Sequence, residues 1–148
     1  KVVNGKNPII DHRFIGPNDI TGKYIIISDD MIASGSSMLD TVLSIKKLGV
    51  EKIFVIVTFA LFTEGVDKFN EYYKKGILDR VYASNVSYVP SEIQNLEWFK
   101  SVDCSNKIAN IISELNYGNS IGDLIDGRTE TAVKIKKLRR TYEKINNG

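Results

Sequence analysis

The sequence predicts an α/β fold, a parallel sheet flanked by helices, with an N-terminal hairpin and a C-terminal helical tail. Three observations point to it. Tyr24 to Ser28 and Ile53 to Phe59 are short runs of apolar, β-branched and aromatic residues, the composition of strands covered on both faces of a parallel sheet. Between them Met38, Leu39, Val42, Ile45 and Leu48 recur at helical spacing, and Gly49 is placed to end that helix. The alternation then repeats, which calls for right-handed crossovers and helices packed on the sheet.

Taken in order, Lys1 to Ile10 places Asn4-Gly5 between extended-leaning residues, the chemistry of a hairpin turn, with a second arm running toward Ile15. The lone His12 falls on that arm, where a structural or surface role is the plain reading. Gly16-Pro17-Asn18-Asp19 is a turn. After the β-α-β unit just described, Glu64 to Lys75 carries Val66, Phe69 and Tyr73 at three- and four-residue steps and closes on Gly76, before a short strand near Arg80 to Ala83. Ser84 to Trp98 reads as loop, since Pro90 opposes a central strand. Phe99 to Val102 suits a further short strand, and Ser105 to Leu115 an amphipathic helix ending near Gly118. A short helical turn at Ser120 to Ile125 precedes a tail in which Ile135, Leu138, Tyr142 and Ile145 fall at three-four-three spacing. Two parts follow: residues 1–126 as the domain and 127–148 as a basic amphipathic tail.

Composition narrows the chemistry. A chain of 148 residues is long enough to bury a core of its own, and 43% hydrophobic with 26% charged residues is ordinary globular usage. The apolar runs are too short to span a bilayer and no signal peptide is recognisable, so no membrane role and a cytoplasmic location are expected. One cysteine, Cys104, and one histidine exclude an internal disulfide and a Cys/His metal cluster, leaving oxygen ligands for any metal. The net charge of +2 is too small to argue for nucleic acid; residues 128–148 hold seven Lys and Arg against two Glu, which leaves the rest slightly acidic. Lys and Arg on an amphipathic helix are more often its solvated face, and the apolar seam of the tail suits docking on its own domain or another subunit.

The stretch that carries chemistry is Tyr24 to Met38, where a strand ends in Asp29-Asp30 and continues into the small residues Ala33 to Ser37. Small residues between a strand and a helix let backbone N–H groups approach an anion, and the helix dipole favours negative charge there. Ser34, Ser36 and Ser37 add hydroxyl donors, while the carboxylates repel phosphate and suit hydroxyl donors or a divalent cation. A pentose 5-phosphate satisfies both halves. An ordinary capped turn satisfies the same residues, because Asp and Ser are favoured in both settings. No Gly-x-x-x-x-Gly-Lys-Ser/Thr motif occurs, and no Gly-x-Gly-x-x-Gly follows the first strand, so neither a P-loop nor a dinucleotide loop is present. Trp98 and Phe99 suit packing under a loop, with stacking on a base as the sharper alternative; Thr63-Glu64-Gly65 suits capping, or one wall of a ribose pocket.

The segment Ile-Ser-Asp-Asp-Met-Ile-Ala-Ser-Gly-Ser-Ser-Met resembles the phosphoribosyl-pyrophosphate signature of type I phosphoribosyltransferase folds, and its Asp-Asp-Met-Ile form resembles ribose-phosphate pyrophosphokinases in particular. The likeness runs through Lys47-Leu48-Gly49, Val57 to Phe62 and Ser101-Val102-Asp103 to Gly118-Asn119-Ser120-Ile121, over residues 1 to 126, which corresponds to the carboxyl-terminal half of that two-domain enzyme. It implies that Asp29 and Asp30 face the ribose hydroxyls with Mg²⁺ nearby, and that Ala33, Ser34, Gly35, Ser36 and Ser37 form the 5-phosphate loop. It also implies ATP as co-substrate and assembly into a homo-oligomer. The ATP-binding parts and a metal-binding His belong to the amino-terminal half, and a flexible loop with catalytic Lys and Arg precedes the position of Lys1, so no catalytic residue is expected within this stretch, which should bind without turnover. Ala33 stands where the family pattern has Asp, Phe59 where it has His, and Ser36 where it has a glycine, which predicts backbone strain at Ser36. A phosphoribosyltransferase and a non-catalytic regulatory homologue that senses the sugar phosphate are the alternatives.

Overall fold

The computed structural model describes residues 15–17 and 19–146. The N-terminal hairpin and His12 lie outside them. Two compact units divide the chain at Cys104 and Ser105.

The first unit is a four-stranded, wholly parallel sheet in the order β1 (Tyr24–Ile32), β2 (Lys52–Ala60), β3 (Arg80–Ser84), β4 (Phe99–Val102). Helices α1 (Ser36–Lys46), α2 (Asp67–Lys74) and the short α3 (Ser91–Gln94) occupy the three connections. The alternating strand–helix pattern thus forms as the sequence predicts. β1 differs in running four residues beyond Ser28: Asp29 pairs with Val57, Met31 with Phe59 and Ile32 with Ala60, so the acidic pair lies within the strand, with Asp29 in the ladder. α3 sits in the stretch read as loop; Pro90 caps it, its fixed φ suiting a helix start, and the Ile93 and Gln94 amides bond its carbonyl at 3.0 and 3.1 Å.

Strand alternation sends Ile53, Val55, Val57, Val81, Ala83 and Phe99 into one core cluster with Met38, Leu39 and Val42 of α1 and Phe69 of α2. The opposite face carries Tyr24, Ile26, Ile56 and Val102, and it is exposed, Ile26 by 65%. Burial on both faces, expected from the unbroken apolar run of β1, therefore does not hold at Ile26. A sheet ordered 1-2-3-4 steps the same way at every crossover, and crossovers of one hand then put every helix on the same face.

The centre of the core is aromatic. Phe69 stacks on Trp98 with centroids 5.4 Å apart, and Phe62 meets Phe69, Trp98 and Phe99 edge-on at 5.1, 5.9 and 6.0 Å. The indole N–H of Trp98 donates to Asn70 Oδ1 at 2.8 Å, which satisfies the one polar atom the ring brings inside. Trp98 and Phe99 are buried, so packing rather than base stacking is their role here.

The second unit holds α4 (Ser105–Asn116), α5 (Gly122–Ile125) and α6 (Arg128–Asn146). The tail seam residues Ile135, Leu138, Tyr142 and Ile145 are all exposed. Asp126 starts α6: its Oδ1 accepts from Arg128 Nε at 2.9 Å and from the Arg128 backbone N–H at 3.1 Å, and these bonds, the side-chain one foremost, hold its carboxyl below the usual range. Glu130 is likewise lowered, by its bond to Lys134 first and by Lys107 beyond it. A depressed carboxylate stabilises the fold above its unfolded pKa, and that contribution fades as the pH falls through the lower folded value. The start of α6 is therefore expected to hold from pH 7 to about 5 and to loosen below about pH 4. The Arg128 amide shift in an NMR titration checks this; a midpoint at or above the ordinary aspartate value would contradict it. Among the described residues no helix is long and apolar enough to cross a membrane.

Candidate functional site

β1 delivers its acidic pair to the carboxyl end of the sheet, the edge at which open parallel sheets present ligands. Adjacent residues of a strand point to opposite faces, so Asp29 and Asp30 cannot both turn toward one ligand while the strand stays regular. Both side chains are exposed, and the Asp30 N–H donates to Asp29 Oδ1 at 2.8 Å. Asp29, Ala33, Ser34, Gly35 and Ser37 line one depression of about 140 Å³, together with Met31, Ile32 and Met38. Asp30 and Ser36, expected in the same site, are not in that lining.

Gly35 shapes the loop. It is the N-cap of α1 with φ 87° and ψ −10°, left-handed backbone that glycine adopts without strain, and its carbonyl receives the first helical bond from Leu39 N–H at 2.9 Å. Glycine is also needed for space: a Cβ here would stand 2.7 Å from Cζ of Phe69 and closer still to Cε2. Ser36 opens the helix instead of straining the loop. Among the described residues Phe62 is the non-glycine residue with positive φ, so the strain expected at Ser36 is absent. The conformational burden falls one position earlier, where a glycine is present.

Because the first N–H groups of a helix have no carbonyl a turn behind them, the start of α1 offers donors toward the depression. Ser34 Oγ lies 3.4 Å from the Ser36 N–H and 3.3 Å from Ser36 Oγ, a loose local arrangement that an incoming anion can displace. A second hollow of about 390 Å³ abuts the first and shares Asp29 with it; Thr58, Tyr82, Ser84, Val102 and Cys104 contribute to its wall. Thr63-Glu64-Gly65 lies in neither lining, but the Thr63 N–H bonds the Ala33 carbonyl at 2.9 Å. Phe59 pairs with Met31 in the sheet and is partly exposed. Among the described residues no group of three or more His, Cys, Asp or Glu gathers to hold a metal.

A sequence profile described as a phosphoribosyl synthetase-associated domain matches residues 5–126. The chain belongs to this family. The family match spans β1, the phosphate-sized loop and α1 through α5. Phosphoribosyl pyrophosphate synthase-associated protein 2 of Bos taurus is 32% identical over 108 residues, covering 72% of this chain and 28% of the relative. The ribose-phosphate pyrophosphokinase of Pyrococcus furiosus is 43% identical over 47 residues, 32% of this chain and 17% of that protein. The chain thus spans less than a third of the length of these curated relatives. The phosphoribosylpyrophosphate synthetase of Mycobacterium smegmatis shares the fold, with a TM-score of 0.59 over 70% of this chain and 33% of that one, at 17% identity. Family membership and fold agree with the resemblance read from Ile27 to Met38.

Sequence reasoning missed two residues that build the loop. Phe69 lies 34 positions from Gly35, and nothing local marks it as the floor on which that glycine rests. Phe62 adopts a backbone conformation that aromatic residues seldom take, and only a turn-prone neighbour, Gly65, hints at it.

Proposed function

We propose that this chain is a ribose 5-phosphate-binding domain of a phosphoribosyl pyrophosphate synthetase-related protein, and that it works in association with a synthetase rather than by catalysing the transfer itself. The observation that carries the binding reading is the single depression shared by Asp29, the left-handed Gly35 cap and the serines 34 and 37. A phosphate seated at the start of α1 takes backbone N–H and serine hydroxyl bonds strengthened by its charge. The Asp29 carboxylate then accepts from the sugar hydroxyls on the far side. Magnesium fits this donor set on limited terms: one exposed carboxylate is available at the depression, and a Mg²⁺ there would fill its octahedron with water and with oxygens of the sugar phosphate.

The non-catalytic reading is supported by the relative named as synthase-associated, whose likeness covers 72% of this chain, and by Ala33 and Phe59, which cannot supply a carboxylate or an imidazole. The second reading is ribose-phosphate pyrophosphokinase itself, which moves the pyrophosphoryl group of ATP to the C1 hydroxyl; the 43% identity to the Pyrococcus furiosus enzyme favours it. In either reading this domain contributes alignment, holding the sugar by its phosphate so that C1 faces outward.

Calorimetric titration tests the binding reading. Ribose 5-phosphate is expected to bind saturably, with Asp29→Asn weakening it about tenfold and Asp30→Asn changing it less, because only Asp29 lines the depression. A folded chain that shows no saturable binding of ribose 5-phosphate or of its pyrophosphate would remove the assignment. Mixing with a catalytic synthetase in size-exclusion chromatography separates the roles. Co-elution without AMP formation by this protein favours association; self-assembly with AMP formation from ATP and ribose 5-phosphate favours the enzyme.

A further inference from the structure

We infer that Phe62 is the positioning residue of the loop at 33–37: a buried ring that holds residues 61–63 in the turn from which their amides fix the carbonyls of Ile32 and Ala33. The inference rests on the sugar-phosphate reading of that loop and adds to it the part that keeps the loop in shape.

The backbone of Phe62 has φ 47°, left-handed geometry that is unfavourable for a residue with a Cβ and persists only where its surroundings impose it. The ring supplies that imposition. It is 5% exposed and meets Phe69, Trp98 and Phe99 edge-on, so relaxing the backbone would pull it out of the aromatic core. Held there, the turn is closed by Gly65 N–H on the Phe62 carbonyl at 2.9 Å. Three amides then reach across to the end of β1. Leu61 and Phe62 donate to the Ile32 carbonyl at 2.9 and 3.4 Å, and Thr63 donates to the Ala33 carbonyl at 2.9 Å.

These bonds matter electrostatically. A loop that receives an anion must present N–H groups and keep its carbonyl oxygens turned elsewhere, since a free carbonyl at the mouth would repel phosphate. The carbonyls of Ile32 and Ala33 are the two that precede Ser34, and both are occupied by the 61–63 turn. The same ring also supports the loop from beneath, because its edge packs on Phe69, the residue against which Gly35 rests. A loop fixed before binding loses less entropy when the ligand arrives.

A core aromatic with no bearing on the loop would behave like its neighbour Phe99, which is also buried in the same cluster but lies on β4. The full chain is therefore compared as wild type, Phe62→Leu and Phe99→Leu, by amide hydrogen exchange without ligand and by titration with ribose 5-phosphate and inorganic phosphate. Phe62→Leu is expected to speed exchange at Thr63 and Leu61 by about tenfold more than Phe99→Leu does, measured against slow core amides of β2 in each variant. Ribose 5-phosphate should bind Phe62→Leu about tenfold more weakly than it binds Phe99→Leu. Should Phe62→Leu not fold, Phe62→Met, unbranched and apolar, takes its place in both measurements. Equal exchange at Thr63 in the two variants overturns the inference. If the wild type binds neither sugar phosphate nor phosphate, the binding assignment fails, and the exchange comparison still decides whether Phe62 holds the loop.

Discussion

Gly35→Ala is expected to destabilise the first unit by about 2–5 kcal/mol and to distort the loop at 33–37, weakening the sugar-phosphate binding proposed for it. Two costs combine. An alanine at φ 87° is left-handed, at roughly 1–2 kcal/mol for an L-residue. Its methyl group also meets the Phe69 ring, which cannot swing aside because Trp98 is stacked on it and Phe62 closes its edge. Forced overpacking of this kind costs about 1–3 kcal/mol. The two parts can be separated: adding Phe69→Leu to Gly35→Ala removes the clash and leaves the backbone penalty, so the double variant should be more stable than the sum of the single effects by about 1–2 kcal/mol. Urea unfolding followed by circular dichroism measures all three variants. A Gly35→Ala protein within about 0.5 kcal/mol of wild type would mean that the loop relaxes freely and that neither cost is real.

Trp98→Ala carries the largest loss expected from the core, about 3–5 kcal/mol, where a whole domain holds only some 5–15 kcal/mol of net stability. The indole is 1% exposed and touches Phe62, Phe69 and Phe99, so its removal leaves a cavity at the junction of three rings. Asn70 Oδ1 loses its donor as well. Trp98→Phe discriminates between the terms, because it keeps most of the apolar volume and removes the N–H; it should cost clearly less than the alanine variant. Thermal unfolding of the two variants checks the order, and an alanine variant no worse than the phenylalanine one would contradict the cavity account.

Much of this architecture was legible in residue order. Strands β1 to β4 and helices α1, α2 and α4 follow from runs of β-branched residues and from apolar residues at helical steps, and Gly49, at φ 81°, sits just past α1 as its chemistry predicts. The small-residue loop follows the first strand as its composition predicts, but the acidic pair, expected to end that strand, lies within β1. What stayed hidden is non-local. The extension of β1 to Ile32 depends on β2 offering partners to Met31 and Ile32, which no property of Asp29-Asp30 announces. That extension then turns two neighbouring carboxylates to opposite faces, so a pair that looks like one acidic patch on paper contributes one side chain to the depression. α3 escaped because four residues are too few for a periodic signal. The roles of Phe62 and Phe69 arise from contacts between segments far apart in sequence, and only the folded chain brings them under the loop.

Trp98 has a practical use that follows from its setting. It is the single tryptophan of the chain, and its indole is shielded from water inside the first unit. Its fluorescence should therefore be blue-shifted in the native state and move to longer wavelength as that unit opens, giving a label-free optical probe confined to that unit. Helices α4 to α6 carry no tryptophan, so their unfolding would show in circular dichroism alone. Melting curves from the two signals that coincide would mean the units unfold together; curves that separate would resolve two transitions within one chain.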